Sequence, residues 1–120
     1  MLVVVLVVAI LAAVALPSYR SHVLKNNRKE AIAALGRIQI AQEARRATAS
    51  AYGTLADLGI PAVTDGGLYA LAVSGLTATT YTATATATGA QAADTACATL
   101  AVTQAGPDLS TDARKACWAQ

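Results

Sequence analysis

The sequence predicts an α+β fold: a long N-terminal α-helix, kinked near Pro17, packed on a small antiparallel β-sheet head. Three observations lead there. Residues 1–16 contain no polar side chain, and every residue from 2 to 16 is Ala, Val, Ile or Leu. Residues 18–49 lack proline and repeat apolar positions at helical spacing. Beyond residue 68, short β-prone runs alternate with turn signals. At 120 residues the chain is one domain, or one domain with an appendage. It is 55% hydrophobic but only 4% aromatic, with no Phe, so any compact core is built from small side chains and is thin.

The apolar run comes first. Sixteen helical residues rise about 24 Å at 1.5 Å each. The hydrocarbon core of a bilayer is about 30 Å thick and takes about 20 residues, so the run falls short of a span. It is not patterned as a signal peptide either, because its basic residues follow the apolar stretch and Pro17 and Tyr19 suit a cleavage site poorly. Pro17 removes one backbone hydrogen bond and crowds the carbonyl four residues back. A kink there lets one continuous helix leave an apolar environment at a new angle; the plainer reading is that Pro17 only marks the end of the run.

The second segment, 18–49, reads as the amphipathic continuation of that helix. Leu24, Ala31, Leu35, Ile38 and either Ala41 or Gln42 form a stripe, and Lys25, Arg28, Lys29, Arg45 and Arg46 fall largely off it. Gly36 either permits close backbone packing or is simply tolerated, at a cost of about 1 kcal/mol relative to Ala. Residues 50–67 mix Gly, Pro, Asp and Thr without period and read as a connecting loop, tacked to the helix by Leu55, Leu58 and Ile60.

Residues 68–120 form the expected head. Strands are predicted over 68–75, 79–89 and 97–106. In the second, Thr80 to Thr88 alternate with Tyr81, Ala83, Ala85 and Ala87. The period of two puts threonines on one face and small apolar groups on the other, and the alanine face leaves room for a helix to lie close. The tail after residue 106 reads as irregular. Cys97 and Cys117 either pair, closing a loop worth about 3 kcal/mol on the chain-entropy model and implying an oxidising compartment, or remain buried free thiols.

Charge divides the chain. Residues 1–50 hold seven Lys/Arg and two Glu, net +5; residues 51–120 hold two Lys/Arg and five Asp, net −3. This is either two solvated surfaces or a basic rod and an acidic head that attract neighbouring copies. Positive charge after the apolar run would place it in the cytoplasm, whereas a disulfide would place the head outside.

No catalytic signature is present: there is no Gly-rich phosphate loop, no His-Glu-x-x-His and no Ser-centred elbow. His22 is the single His, and Asp108 with Asp112 is thin support for a cation site. The expected catalytic residues, metals and cofactors are none, and no small-molecule substrate is expected.

The stretch MLVVVLVVAILAAVALPSYRSHV resembles the N-terminal helix of type IV pilins, and the Cys-Trp at 117–118 resembles the end of their disulfide-bounded C-terminal region. In that family a basic leader ends in Gly and is removed by prepilin peptidase. The mature chain then begins with a methylated Phe in a Phe-Thr-Leu-Ile-Glu-like stretch. Met1 falls just after that Glu, so an in-frame Gly and such a stretch are expected upstream. The resemblance implies a pilin-like fold, loosening of the helix around residues 9–16, and a Cys97–Cys117 disulfide. It implies filament-core packing through Leu2, Val5, Leu6, Ala9, Ile10, Ala13 and Leu16. It also implies an inner-membrane precursor, extracted by an ATP-powered pilus assembly machinery into a helical homo-oligomer at the bacterial surface. The first expectation is a structural pilus subunit. The alternatives are a minor pilin that binds DNA during uptake, against which the head's net −3 weighs, a type II secretion pseudopilin, and a membrane-tethered domain that never polymerises.

Overall fold

The computed structural model describes residues 2–118, except that the side chains of 14–18 are not described. One helix, α1 (Leu2–Ala49), runs the length of the molecule, whose extents are 72 × 28 × 17 Å. It is helical through position 17; the expected kink at Pro17 and the packing of Leu16 fall among the side chains outside those described. Four antiparallel strands follow in sequential order: β1 (Tyr69–Ser74), β2 (Thr82–Ala87), β3 (Thr99–Thr103) and β4 (Gly106–Pro107). The fold is thus α+β, a long helix on a small antiparallel sheet.

The alternating pattern of β2 sets how closely helix and sheet approach. Ala83, Ala85 and Ala87 are buried, while Thr82, Thr84 and Thr86 are half-buried or exposed. Register pairs Ala85 with Leu71 on β1 and Leu100 on β3, so one continuous apolar face meets the helix. From α1 come Ala31, Ala34, Leu35 and Ile38, all buried. The aromatic volume that the composition withholds is concentrated here: Tyr69 and Tyr81 are fully buried, and Tyr81 meets Tyr52 edge-on at 4.7 Å. Burial pushes the phenols of Tyr69 and Tyr81 above the usual tyrosine range. Gly36 meets no close packing, since a Cβ there would have no neighbour within 4 Å.

Three segments differ from the sequence reading, which predicted three strands: Gly106–Pro107 adds a fourth by pairing with β3, and two helices appear where loop and irregular tail were expected. The connecting loop contains a helical turn, α2 (Leu55–Leu58), set by a capping box: Thr54 Oγ1 accepts from Asp57 N–H at 3.2 Å and Asp57 Oδ2 accepts from Thr54 N–H at 2.9 Å. Those bonds hold the Asp57 carboxyl below the usual carboxylate range. Gly59 ends the turn in the left-handed region at φ 71°. The tail expected to be irregular forms α3 (Asp112–Trp118), whose first turn is fastened by Thr111 Oγ1 accepting from Arg114 N–H at 3.1 Å. Between β2 and β3 the chain makes two 3₁₀ turns, Gly89–Ala93 and Thr95–Cys97.

Candidate functional site

The junction between helix and head is built from polar groups far apart in sequence. Arg28 Nε donates to Asp94 Oδ2 at 2.6 Å and its Nη2 donates to Oδ1 at 2.7 Å. The pair is largely buried, at 15% and 6% exposure, and the bond to Asp94 raises the Arg28 guanidinium further above its ordinary value. Beside it, buried Gln91 donates Nε2 to the Leu24 carbonyl at 3.0 Å and the Tyr69 hydroxyl at 2.9 Å; its Oε1 accepts from Asn27 Nδ2 at 3.1 Å. These bonds fix the 3₁₀ segment to the rod. The Cys97–Cys117 disulfide, Cα–Cα 5.7 Å, ties that segment to α3. Two further clamps act higher on the rod. Glu30 accepts from the Thr64 hydroxyl at 2.6 Å and the Gly66 N–H at 2.8 Å. Gln42 exchanges two bonds with the Gly53 backbone, 2.8 and 2.9 Å. A Cβ at Gly66 would sit 2.3 Å from Glu30 Oε1, so a larger residue there would push the Glu30 carboxylate aside.

Sequence reasoning set Arg28 on the solvated side and Gln42 as one of two stripe options; the structure buries Gln42 and turns Arg28 against the head. The signals in sequence were faint. Within the polar run 25–30, nothing singles out Asn27 and Arg28 as having partners more than 60 positions away.

The pairing of charges matters more than their sum. Each of the five Asp residues beyond residue 50, two in the connecting segment and three in the head, has a cation within 4.0 Å: Asp57 with Arg45, Asp65 with Arg37, Asp94 with Arg28, Asp108 with Arg114 and Asp112 with Lys115. Asp108 also accepts from the Ser110 N–H at 3.1 Å, and its bonds to Ser110, ahead of the Arg114 charge, hold its carboxyl below the usual range. Arg46 lies over the Tyr52 ring at 5.4 Å. Among the described residues, Arg20, Lys25 and Lys29 have no carboxylate within salt-bridge distance, and all three are exposed with His22 on one short stretch of α1. That negative charge is therefore largely compensated, and of the rod cations without a carboxylate among the described residues, all but Arg46, which rests on Tyr52, lie just past the apolar run.

Two adjoining clefts open at this junction and share Arg20 and Leu24 in their walls. One, about 420 Å³, has Ser21, Arg28, Asp94 and Thr95 along it. The other, about 170 Å³, is walled mainly by Tyr19, Val23, Leu68 and Ala90.

Below the junction the helix is bare. Leu2, Val5, Leu6 and Ile10 are 57–87% exposed, and Ala9 and Ala13 are exposed as well. Six of the residues expected to pack in a filament core are thus uncovered on α1; the seventh, Leu16, lies outside the described side chains. Among the described residues no helix is long and apolar enough to cross a membrane.

A bare apolar helix continuing beneath a small, disulfide-fastened antiparallel sheet defines the class: this is a type IV pilin. Residues 17–101 match the family model described as "Type IV minor pilin ComP, DNA uptake sequence receptor", and the chain belongs to that family. Comparison with curated proteins finds no matching relative.

Proposed function

We propose that the chain is a minor pilin that captures DNA for uptake, with Arg20, Lys25 and Lys29 supplying contacts to backbone phosphates. The alternative reading of the sequence thereby displaces a bulk structural subunit as the first expectation. What supports it is the family's description, joined to one observation: each Asp beyond residue 50 has a cation nearby, while among the described residues four rod cations have no carboxylate, and three of them, Arg20, Lys25 and Lys29, lie together whereas Arg46 rests on Tyr52. Free Lys and Arg are what a polyanion needs, because each neutralised phosphate releases condensed counterions. The head's net −3, which seemed to weigh against DNA, is a poor measure of what a duplex meets at the junction.

In this reading the bare helix enters a filament built with other pilins. Moving from lipid to a helical core exchanges one apolar setting for another, so close packing of the small Ala and Val side chains holds it there. The chain performs no catalysis and takes no cofactor. Deleting the gene in the source cell separates the readings. A strain that keeps surface filaments but loses DNA uptake supports the proposal. A strain that loses its filaments altogether identifies the bulk subunit instead, and one that keeps both filaments and uptake refutes the proposal.

A further inference from the structure

We infer that the paired clefts at the junction hold one anionic phospholipid, its phosphodiester headgroup against Arg20 and the start of its acyl chains in the apolar cleft. This goes beyond DNA capture and does not depend on it: the lipid belongs to the subunit in the membrane, and the same Arg20 meets DNA only once the lipid has left.

The shape comes first. Two cavities of different character share Arg20 and Leu24: the larger is mixed polar and apolar, the smaller mostly apolar. The larger is of a size that takes a small ligand and is bordered by hydroxyls and charges; the smaller is apolar. A phospholipid has the same division between its glycerophosphate and its chains. Position comes second. Arg20 lies four residues beyond the last residue of the apolar run, a rise of about 6 Å. Residues 2–13 are exposed and apolar, so acyl chains leaving the small cleft have apolar surface to follow. Exposed Tyr19 sits at the boundary, where amphipathic rings gather at headgroup level.

Charge comes third. In the polar cleft Asp94 is already neutralised by the bidentate bond from Arg28, which leaves Arg20 as the one cation there without a carboxylate. The cleft is thus net positive by one, matching the single charge of a phosphodiester. The disulfide puts the head in an oxidising compartment, so these cations do not serve the usual preference for positive charge on the cytoplasmic side. Headgroup binding gives Arg20 a role on the outer leaflet.

The test uses the full chain in nanodiscs of equal phosphatidylglycerol and phosphatidylcholine, without DNA, followed by native mass spectrometry of the lipid retained on the released protein. The expected result is one retained lipid, with phosphatidylglycerol favoured about fivefold, the scale of one Arg at an anionic surface. Arg20→Ala brings the ratio close to that of the bulk mixture, and Arg20→Lys restores part of the preference. Lys25→Ala and Arg37→Ala leave it unchanged, and circular dichroism confirms that each variant folds. Equal retention of both lipids, or equal loss in Lys25→Ala, would overturn the assignment. So would displacement by soluble glycerophosphoglycerol at the concentration of the lipid, because the apolar cleft would then contribute nothing. Absence of DNA binding in a separate titration leaves this inference standing.

Discussion

The two halves of α1 meet opposite surroundings. Under the sheet, Ala31, Leu35, Ile38 and Gln42 are fully covered although their half carries most of the helix's charges; residues 2–13, apolar without exception, remain exposed. Hydrophobicity alone therefore does not mark the core of this chain. What marks it is a stripe of the right width facing a sheet whose β2 side chains are small enough to let it approach. The packed core lies on the outer half, and the apolar residues of the inner half are left uncovered.

The largest expected effect tests that contrast directly. Leu35→Ala leaves a void in a fully packed site and should destabilise the monomer by about 3 kcal/mol. Leu6→Ala should stay within about 0.5 kcal/mol, as exposed substitutions do. Urea unfolding of both variants in the same detergent checks this; equal losses would mean the inner half is folded against the head. Next comes Arg28→Ala, which strands a buried Asp94 and should cost about 3 kcal/mol. The double variant Arg28→Met with Asp94→Leu should recover most of it, and failure to recover would show that the pair contributes more than mutual neutralisation.

Much of this contrast was visible in the sequence, for a physical reason. The helix and the strands follow periodicities of 3.6 and 2, which neighbouring residues set together, and the Thr-Ala alternation of β2 named its inner face. What was not visible depends on single long-range partners. Arg28 finds Asp94, Asn27 and Leu24 find Gln91, and Glu30 finds Thr64, each across more than 30 residues. The short helices were missed for a different reason. α2 and α3 are fixed by individual caps at Thr54 and Thr111 rather than by a repeat. The Thr-x-x-Asp at 54–57 was legible in principle, but Gly and Pro around it drew the reading toward a loop.

A smaller effect follows from the buried phenols. Because Tyr69 and Tyr81 titrate higher in the folded head than in the unfolded chain, their contribution is intact below the unfolded value of about pH 10. It is lost as pH rises through the folded values, since the unfolded chain then ionises more readily. Thermal unfolding between pH 8 and 12 should be level at first and fall beyond about pH 10; a level profile throughout would mean that the two rings are accessible to water. The smallest effect is a gain. Gly36→Ala should stabilise the rod by up to about 1 kcal/mol, because the helix favours Ala and, apart from the helix's own adjoining backbone and the two neighbouring residues, nothing stands within 4 Å of the new methyl. A loss in the isolated monomer would show closer packing at Gly36.

The unpaired rod cations are best examined by the salt dependence of duplex DNA binding to the full chain in detergent, measured by fluorescence anisotropy. Three phosphate contacts predict a log–log slope of about −2.7, falling by about 0.9 for each of Lys25→Ala and Lys29→Ala. A slope near zero, or one that the two substitutions leave unchanged, contradicts DNA capture at this junction.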